Sequence, residues 1–397
     1  METRQAQRVI ESLRQGIPPE GHIRRFTVGR KSEIARLTTR LDKSESGALL
    51  LKANYGSGKT HLLRFIREDA LHKGFAVSSV TLDAKGAVRF NRMDQVFGAI
   101  CRNIEIPSAP GVRGIRPFLD FIVKSIELSK RRKRRTFWHD LTNEWQWDYS
   151  DATDAPAMFV AIRAWGTGNS TVHDTVEDWL FQPWLYHSQR KKLYATLIDG
   201  LRRHFRDPRA EWQFYADEVF RFDKQGYAQS WAALRDLHCL ACHAGLKGLI
   251  ILFDEFEDVI TNLNNVAHQE SAFWNLFQFY SGKQFPGMSY YAVTPEFVEK
   301  CIRLLINKGR WDYDYSRFQS LTTFQMSPLE IDELKELAAR IVDTHGAAYG
   351  WDANGTVAGD ELDAVLRDAT SVQIQDRARH AIVSVVKMLD RLAEDSL

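Results

Sequence analysis

Apolar and polar positions along the chain follow two rhythms. Val9, Ile10 and Leu13 recur at helical spacing through residues 3–15, until Gly16, Pro18, Pro19 and Gly21 interrupt the pattern. Ile34, Leu37 and Leu41 mark one face of a second predicted helix after Gly29. Gly47 then opens the unbroken run Ala48-Leu49-Leu50-Leu51, which reads as a strand covered on both faces. So short a run also fits a helix, and its neighbours decide: Gly56-Ser57-Gly58-Lys59-Thr60 follows, then helix-like sequence from His61 to His72. Further strands are predicted at Phe75 to Leu82, Leu249 to Phe253, Met288 to Thr294 and Ser320 to Met326.

Strands alternating with helices imply an α/β fold with a parallel sheet of five strands. Residues 83–248 carry few strand signals, and a large helical insertion is expected at about 105–230. Trp138, Trp145, Trp147, Trp165, Trp179, Trp184 and Trp212 fall there and suggest a small aromatic core of its own. From Glu330 onward Ile331, Leu334, Leu337, Ala338 and Ile341 trace an amphipathic helix that opens a C-terminal helical region. The divisions predicted are 1–46, N-terminal helices and linker; 47–329, the core with its insertion; and 330–397, a helical lid.

The loop after the first strand carries the clearest chemistry. Residues 53–60, Ala-Asn-Tyr-Gly-Ser-Gly-Lys-Thr, match the phosphate-loop pattern except that Ala53 stands where a glycine is usual. Asn54, Tyr55, Gly56, Ser57 and Gly58 would turn backbone N–H groups around phosphate oxygens, and the helix entered at His61 would add its positive end. Lys59 would reach the β- and γ-phosphates, and the Thr60 hydroxyl would ligate Mg²⁺. The bland alternative is a glycine turn with a chance Lys-Thr. Against it stands Leu249-Ile250-Ile251-Leu252-Phe253-Asp254-Glu255, a buried run ending in two acids. An aspartate at the carboxyl end of a central strand faces the crevice where nucleotides bind, so Asp254 would serve the metal and Glu255 the attacking water. Both motifs in this order predict ATP binding. Thr294, at the end of the fourth strand, is a candidate polar sensor or simply a cap before Pro295. Arg310 and Arg317 precede the fifth strand and are candidate trans-acting arginines, with a surface ion pair as the plainer reading of each.

Several stretches resemble the ATP-binding proteins of BREX-type phage-defence systems. They are Gln7 to Pro19 followed by Val28-Gly29-Arg30, Glu177-Asp178-Trp179-Leu180, Gly245 to Leu249 running into Asp254-Glu255, Met326-Ser327-Pro328-Leu329, and Arg379 ahead of Asp390. The likeness touches most of the chain and is weakest over about 105–175. It implies a branch of the AAA+ ATPases related to origin-recognition and STAND proteins, with an αβα P-loop core and a C-terminal helical lid, winged-helix-like or otherwise. It further implies that Val28, Gly29 and Arg30 lie near the adenine and that Arg379, or Arg377, reaches from the lid to the phosphates. Arg317 then ranks ahead of Arg310 as the finger. A role on double-stranded DNA, homo-oligomerisation and a helicase or other defence-system partner are implied in the same way. The activity implied is ATP hydrolysis; the rival is a nucleotide-gated scaffold that hardly hydrolyses and recruits an effector.

Composition adds little until it is localised. There are 53 Lys and Arg against 51 Asp and Glu, a net charge of +2, which excludes a uniformly basic coat protein. Lys130, Arg131, Arg132, Lys133, Arg134 and Arg135 form an unbroken cationic run, able to contact DNA phosphates or to sit as a solvated block. Cys101, Cys239, Cys242 and Cys301 are too few for a disulfide scaffold. His238-Cys239-Leu240-Ala241-Cys242-His243 matches a haem-attachment pattern, but buried or half-buried helix cysteines are the better reading. With no signal-like N-terminus and no long apolar stretch, a soluble cytoplasmic protein away from membranes is expected.

Overall fold

The computed structural model describes residues 1–54, 56–82, 88–131, 153–166, 168–182, 227–257, 263, 265–373 and 376–396. The strands are β1 Gly47–Lys52, β2 Ala76–Thr81, β3 Ile104–Glu105, β4 Leu249–Asp254, β5 Met288–Val293 and β6 Thr323–Gln325. The longer helices are α1 Thr3–Arg14, α2 Lys31–Asp42, α3 Lys59–His72, α4 Met93–Asn103, α5 Ile115–Arg131, α6 Pro156–Trp165, α7 Ser170–Phe181, α8 Ala228–His243, α9 Val266–Ser281, α10 Phe297–Asn307, α11 Ile331–Tyr349, α12 Gly359–Ser371 and α13 Arg377–Ser396.

The six strands form one sheet in the order β3-β2-β4-β5-β1-β6. Every pairing is parallel except β2 with β3. Five parallel strands were expected and all five occur, but the sheet has a sixth. The two-residue β3 sets Ile104 against Ser78 and Glu105 against Val77, and so short a strand leaves no periodic trace in sequence. The fifth predicted strand shrinks from 320–326 to Thr323–Gln325 at the sheet edge, where no outer neighbour extends the ladder.

Alternation along the strands feeds two cores. Leu50, Val80, Ile251, Phe253 and Tyr291 point to one face, and Leu49, Leu51, Val77, Ile250, Leu252 and Tyr290 to the other. α2 and α3 cover the second face, while α4 to α10 contribute to the first. Trp165 and Trp179, expected in a separate aromatic core, are buried within the first core itself. Trp138, Trp145, Trp147, Trp184 and Trp212 lie outside the described residues. A third core joins Val9, Ile10 and Leu13 of α1 to Leu334, Leu337 and Ile341 of α11 and to Val385, Val386 and Leu389 of α13. The first helix therefore packs with the last ones. No described helix is long and apolar enough to cross a membrane.

Candidate functional site

The site is built where β1, β4 and β5 end, because parallel strands bring their carboxyl ends to one edge. Beyond β1 the Ala53 N–H donates to the Val293 carbonyl at 3.1 Å, and the Ser57 N–H closes a turn on the Asn54 carbonyl at 3.2 Å. Tyr55 lies outside the described residues. Gly56 and Gly58 hold φ of 70° and 88°, conformations in which a side chain is strained. Gly58 caps α3 with no side-chain hydrogen bond, so the first turn presents backbone N–H groups and the positive end of the helix to the space above the loop.

Two side chains of that turn point at the loop and its surroundings. Lys59 is buried, donates to the Ala53 carbonyl at 3.0 Å and stands 3.6 Å from Glu257 Oε1. The Thr60 hydroxyl donates to Asp254 Oδ2 at 2.8 Å, joining residues 194 positions apart. Asp254 Oδ1 accepts the Glu255 N–H at 3.0 Å. Glu255 is exposed and left-handed at φ 55°, a conformation uncommon for residues other than glycine. β5 runs between β1 and β4, so Thr294 sits between the loop and the acidic pair. Its hydroxyl is buried without a hydrogen-bond partner, while its carbonyl accepts from the Phe297 N–H. The adjacent strands β1, β5 and β4 bring all of these residues to one edge. Glu257 was not among the expected residues.

Beside the loop lies a cavity of about 100 Å³, walled by Leu13, Gly16 to Pro19, Phe26 to Val28, Arg30, Gly56 to Gly58, His61, Leu329, Leu337, Ala378, Arg379 and Ile382. Its walls are mostly apolar and its loop end carries cations, which suits a flat hydrophobic group joined to an anion. Arg30, left-handed at φ 52°, donates to the Ser57 carbonyl at 2.7 Å. Burial lowers the Arg30 guanidinium's pKa from its usual value. His61 Nε2 lies 2.9 Å from the Thr27 hydroxyl, and burial, with help from Arg30 and Arg64, brings its pKa down to about 4. Gly29 does not line the cavity; it abuts Glu333, whose carboxylate would lie 2.0 Å from a Cβ there. The strap before it is tied to α3: the Gly21 N–H donates to Glu68 at 2.6 Å, and Arg64 and Arg24 bond Pro18 and Asp69.

Of the two lid arginines, Arg379 lines the cavity and lies against Gly16, whereas Arg377 donates to the Thr370 carbonyl at 3.5 Å. Arg310 forms an exposed ion pair with Glu270, and the Arg317 guanidinium lies 4.3 Å over the Phe277 ring, so both engage α9. The cationic run begins on the last turn of α5; Arg132 to Arg135, and the side chains of Lys130 and Arg131, lie outside the described residues. Cys239 and Cys242, expected as buried or half-buried helix cysteines, do lie on a helix, α8, where three-residue spacing puts both on its exposed face. Partial burial of the thiols still raises the pKa of both, which disfavours the reactive thiolate.

The walls of the cavity and the loop come from the first 61 residues and the C-terminal helices, while Asp254 to Glu257 come from a strand far along the chain. No curated protein and no solved structure matches the chain. Residues 1–146, which hold α1, the strap, the whole phosphate loop and β1 to β3, match the family of the BREX system ATP-binding proteins BrxC/D.

Proposed function

We propose that this chain is an AAA+-type ATPase of the P-loop class, acting in antiphage defence, whose nucleotide state governs assembly on double-stranded DNA or on a DNA-processing partner. The observation that carries the reading is the 2.8 Å bond between Thr60 and Asp254, which joins the loop to the acidic strand end. The order β2-β4-β5-β1-β6 of the parallel strands supports the reading: β1, which leads into the loop, pairs with β5, which ends at Thr294, and β5 pairs with β4, which ends at Asp254. The match of residues 1–146 to ATP-binding proteins of a defence system supports the same reading.

In this reading the base enters the cavity past Val28, the Gly56–Gly58 amides and the α3 N-terminus hold the phosphates, and Lys59 bears on the β- and γ-phosphates. Thr60 and Asp254 offer two hard oxygen donors within hydrogen-bond reach of each other, a set that fits Mg²⁺ completed by phosphates and water. When bound, the ion would draw charge from the phosphate oxygens. Glu255 orients the attacking water, and the orphan Thr294 hydroxyl is free to bond water or the terminal phosphate. Arg379 approaches from the lid. Arg310 and Arg317, engaged on α9, would act only on a neighbouring copy after leaving Glu270 or Phe277, so the isolated chain turns over slowly. That engagement is also what favours the second reading, a scaffold that binds nucleotide, hardly hydrolyses it and recruits a helicase or other defence protein.

Lys59→Ala is expected to abolish ATP binding, and Glu255→Gln to keep binding while lowering phosphate release at least about 100-fold. Phosphate release with and without double-stranded DNA separates the two readings: stimulation supports the cycling enzyme, and flat turnover near zero supports the scaffold. Unchanged turnover in Glu255→Gln would show that another group orients the water.

A further inference from the structure

Lys59 is held by its own chain. Its ammonium donates to the Ala53 carbonyl at 3.0 Å and faces Glu257 Oε1 at 3.6 Å, and the two charged side chains are only 10% and 7% exposed. A lysine so far from water needs an opposite charge beside it. Glu257 reaches that position because Glu255, at φ 55°, breaks the line of β4 and lets Phe256 and Glu257 begin a helical turn toward the loop. Its carboxylate is thus on the Lys59 side, while Asp254 bonds Thr60.

We propose that Glu257 is the resident counter-ion of Lys59, surrendering the ammonium to a nucleotide's phosphates on binding and thereby setting nucleotide affinity. The proposal rests on the reading of Lys59 as a phosphate ligand. Its physical content is an exchange. Without nucleotide, the carboxylate and the Ala53 carbonyl keep the buried cation satisfied and folded over the loop. With nucleotide, phosphate oxygens compete for the same ammonium, and an anion already in place weakens every ligand that must displace it. Glu257 therefore trades affinity for a loop that stays ordered when empty, and it takes no part in the chemistry assigned to Glu255.

The test uses the full chain and ADP alone, which binds without turnover. Glu257→Gln keeps the shape and removes the charge; it should bind ADP at least about tenfold more tightly than wild type, while melting at a lower temperature in the absence of nucleotide. Lys59→Met should lose ADP binding. Lys59→Met combined with Glu257→Gln should melt above either single variant without nucleotide, since neither charge then loses the opposite charge of the pair. Glu257→Asp, with a shorter arm, should move in the direction of Glu257→Gln by a smaller amount and serves if the glutamine variant does not fold. Unchanged or weaker ADP binding in both Glu257 variants, with Lys59→Met still defective, overturns the exchange and leaves the nucleotide site standing. ADP binding that survives Lys59→Met overturns the reading of the site and the exchange with it. Strictly additive melting losses in the double variant would show that the two charges do not act on each other.

Discussion

His61 follows the phosphate-loop threonine and illustrates how one residue's surroundings set its chemistry. The Thr27 hydroxyl donates to the Ile23 carbonyl at 2.8 Å, so it must accept from His61 Nε2–H at 2.9 Å, which fixes a proton on Nε2. With its pKa held near 4 by burial and by Arg30 and Arg64, the folded state binds the proton less readily than the unfolded chain does. The stability this group contributes is complete above about pH 6.5 and is lost as pH falls from 6.5 toward 4. Integrated over that shift, the loss should approach about 3 kcal/mol. Asp236, which burial raises to about 7, works in the opposite sense over an overlapping range, so the difference between wild type and His61→Gln is the quantity to follow. Melting temperatures from pH 7.5 to 4.5 should converge as pH falls; parallel curves would show that His61 takes up its proton as readily in the fold as in the unfolded chain. Gly29 makes a second case. A Cβ there would meet the carboxylate of Glu333, which accepts the Glu330 N–H at 2.8 Å in the capping box of α11. Gly29→Ala, strained by φ 60° as well, should cost about 2 kcal/mol by chemical denaturation and disturb the neighbouring Val28 wall. Lys59, Thr60 and Asp254 could be read from the sequence because their motifs are contiguous. Glu257 could not, since its place depends on a left-handed turn at Glu255 that nothing in the residue type announces.

At the scale of elements, the contact of α1 with α11 and α13 governs one wall of the cavity. Asp390 on α13 accepts two bonds from Arg14, at 3.0 and 2.9 Å, and lies 3.0 Å from His345 Nε2. The Trp351 indole N–H donates to His345 Nδ1 at 2.9 Å, so the fully buried imidazole must donate to Asp390 through its other nitrogen. Burial alone would raise the Asp390 carboxyl; Arg14 and His345 together hold it below its ordinary range. Asp390→Ala removes the acceptor of His345 and leaves Arg14 only Glu11 and Tyr349, and should destabilise the fold by about 2 kcal/mol, at the lower end for a charged network because the carboxylate keeps some solvent contact. Leu13 and Gly16, at the end of α1, line the cavity, so ADP affinity should fall with it. A stability loss with unchanged ADP affinity would show that α1 is not a wall of the base site. None of this was visible in the hydrophobic pattern: periodicity told which face of α1 is buried, not that its partners lie more than 300 residues onward. β1, β4 and β5 were legible for the opposite reason, as continuous apolar runs require cover on both faces and so declare themselves central. β3 is too short to show any period, and the edge strand β6 lost its ends because only one neighbour pairs with it.

Seen as a whole molecule, the chain gathers Lys59, Thr60, Asp254 and Thr294 at one edge of the sheet, while its densest run of charge lies in another part of the sequence. A net charge of +2 over 397 residues supplies no general attraction to a polyanion, so affinity for DNA must come from a concentrated patch. The six cations from Lys130 to Arg135 are the densest in the sequence, and they start on the final turn of α5, a helix whose Phe118, Leu119 and Ile122 are anchored in the first core. If the run contacts phosphates, each contact releases condensed counterions, and log affinity falls with log salt by about 0.9 per phosphate neutralised on duplex DNA. Replacing all six residues with glutamine should therefore flatten the salt dependence of double-stranded DNA binding, by up to about 5 in slope if every cation is engaged. Weaker binding alone would not suffice, because a disturbed fold also weakens binding; a flatter slope with an unchanged melting temperature isolates the lost phosphate contacts. Nucleotide-dependent mass measured with the same variant then tells whether assembly needs the run: DNA contact through it should leave ATP-driven assembly without DNA intact. A slope equal to that of the wild type would move the DNA-binding surface to another part of the molecule.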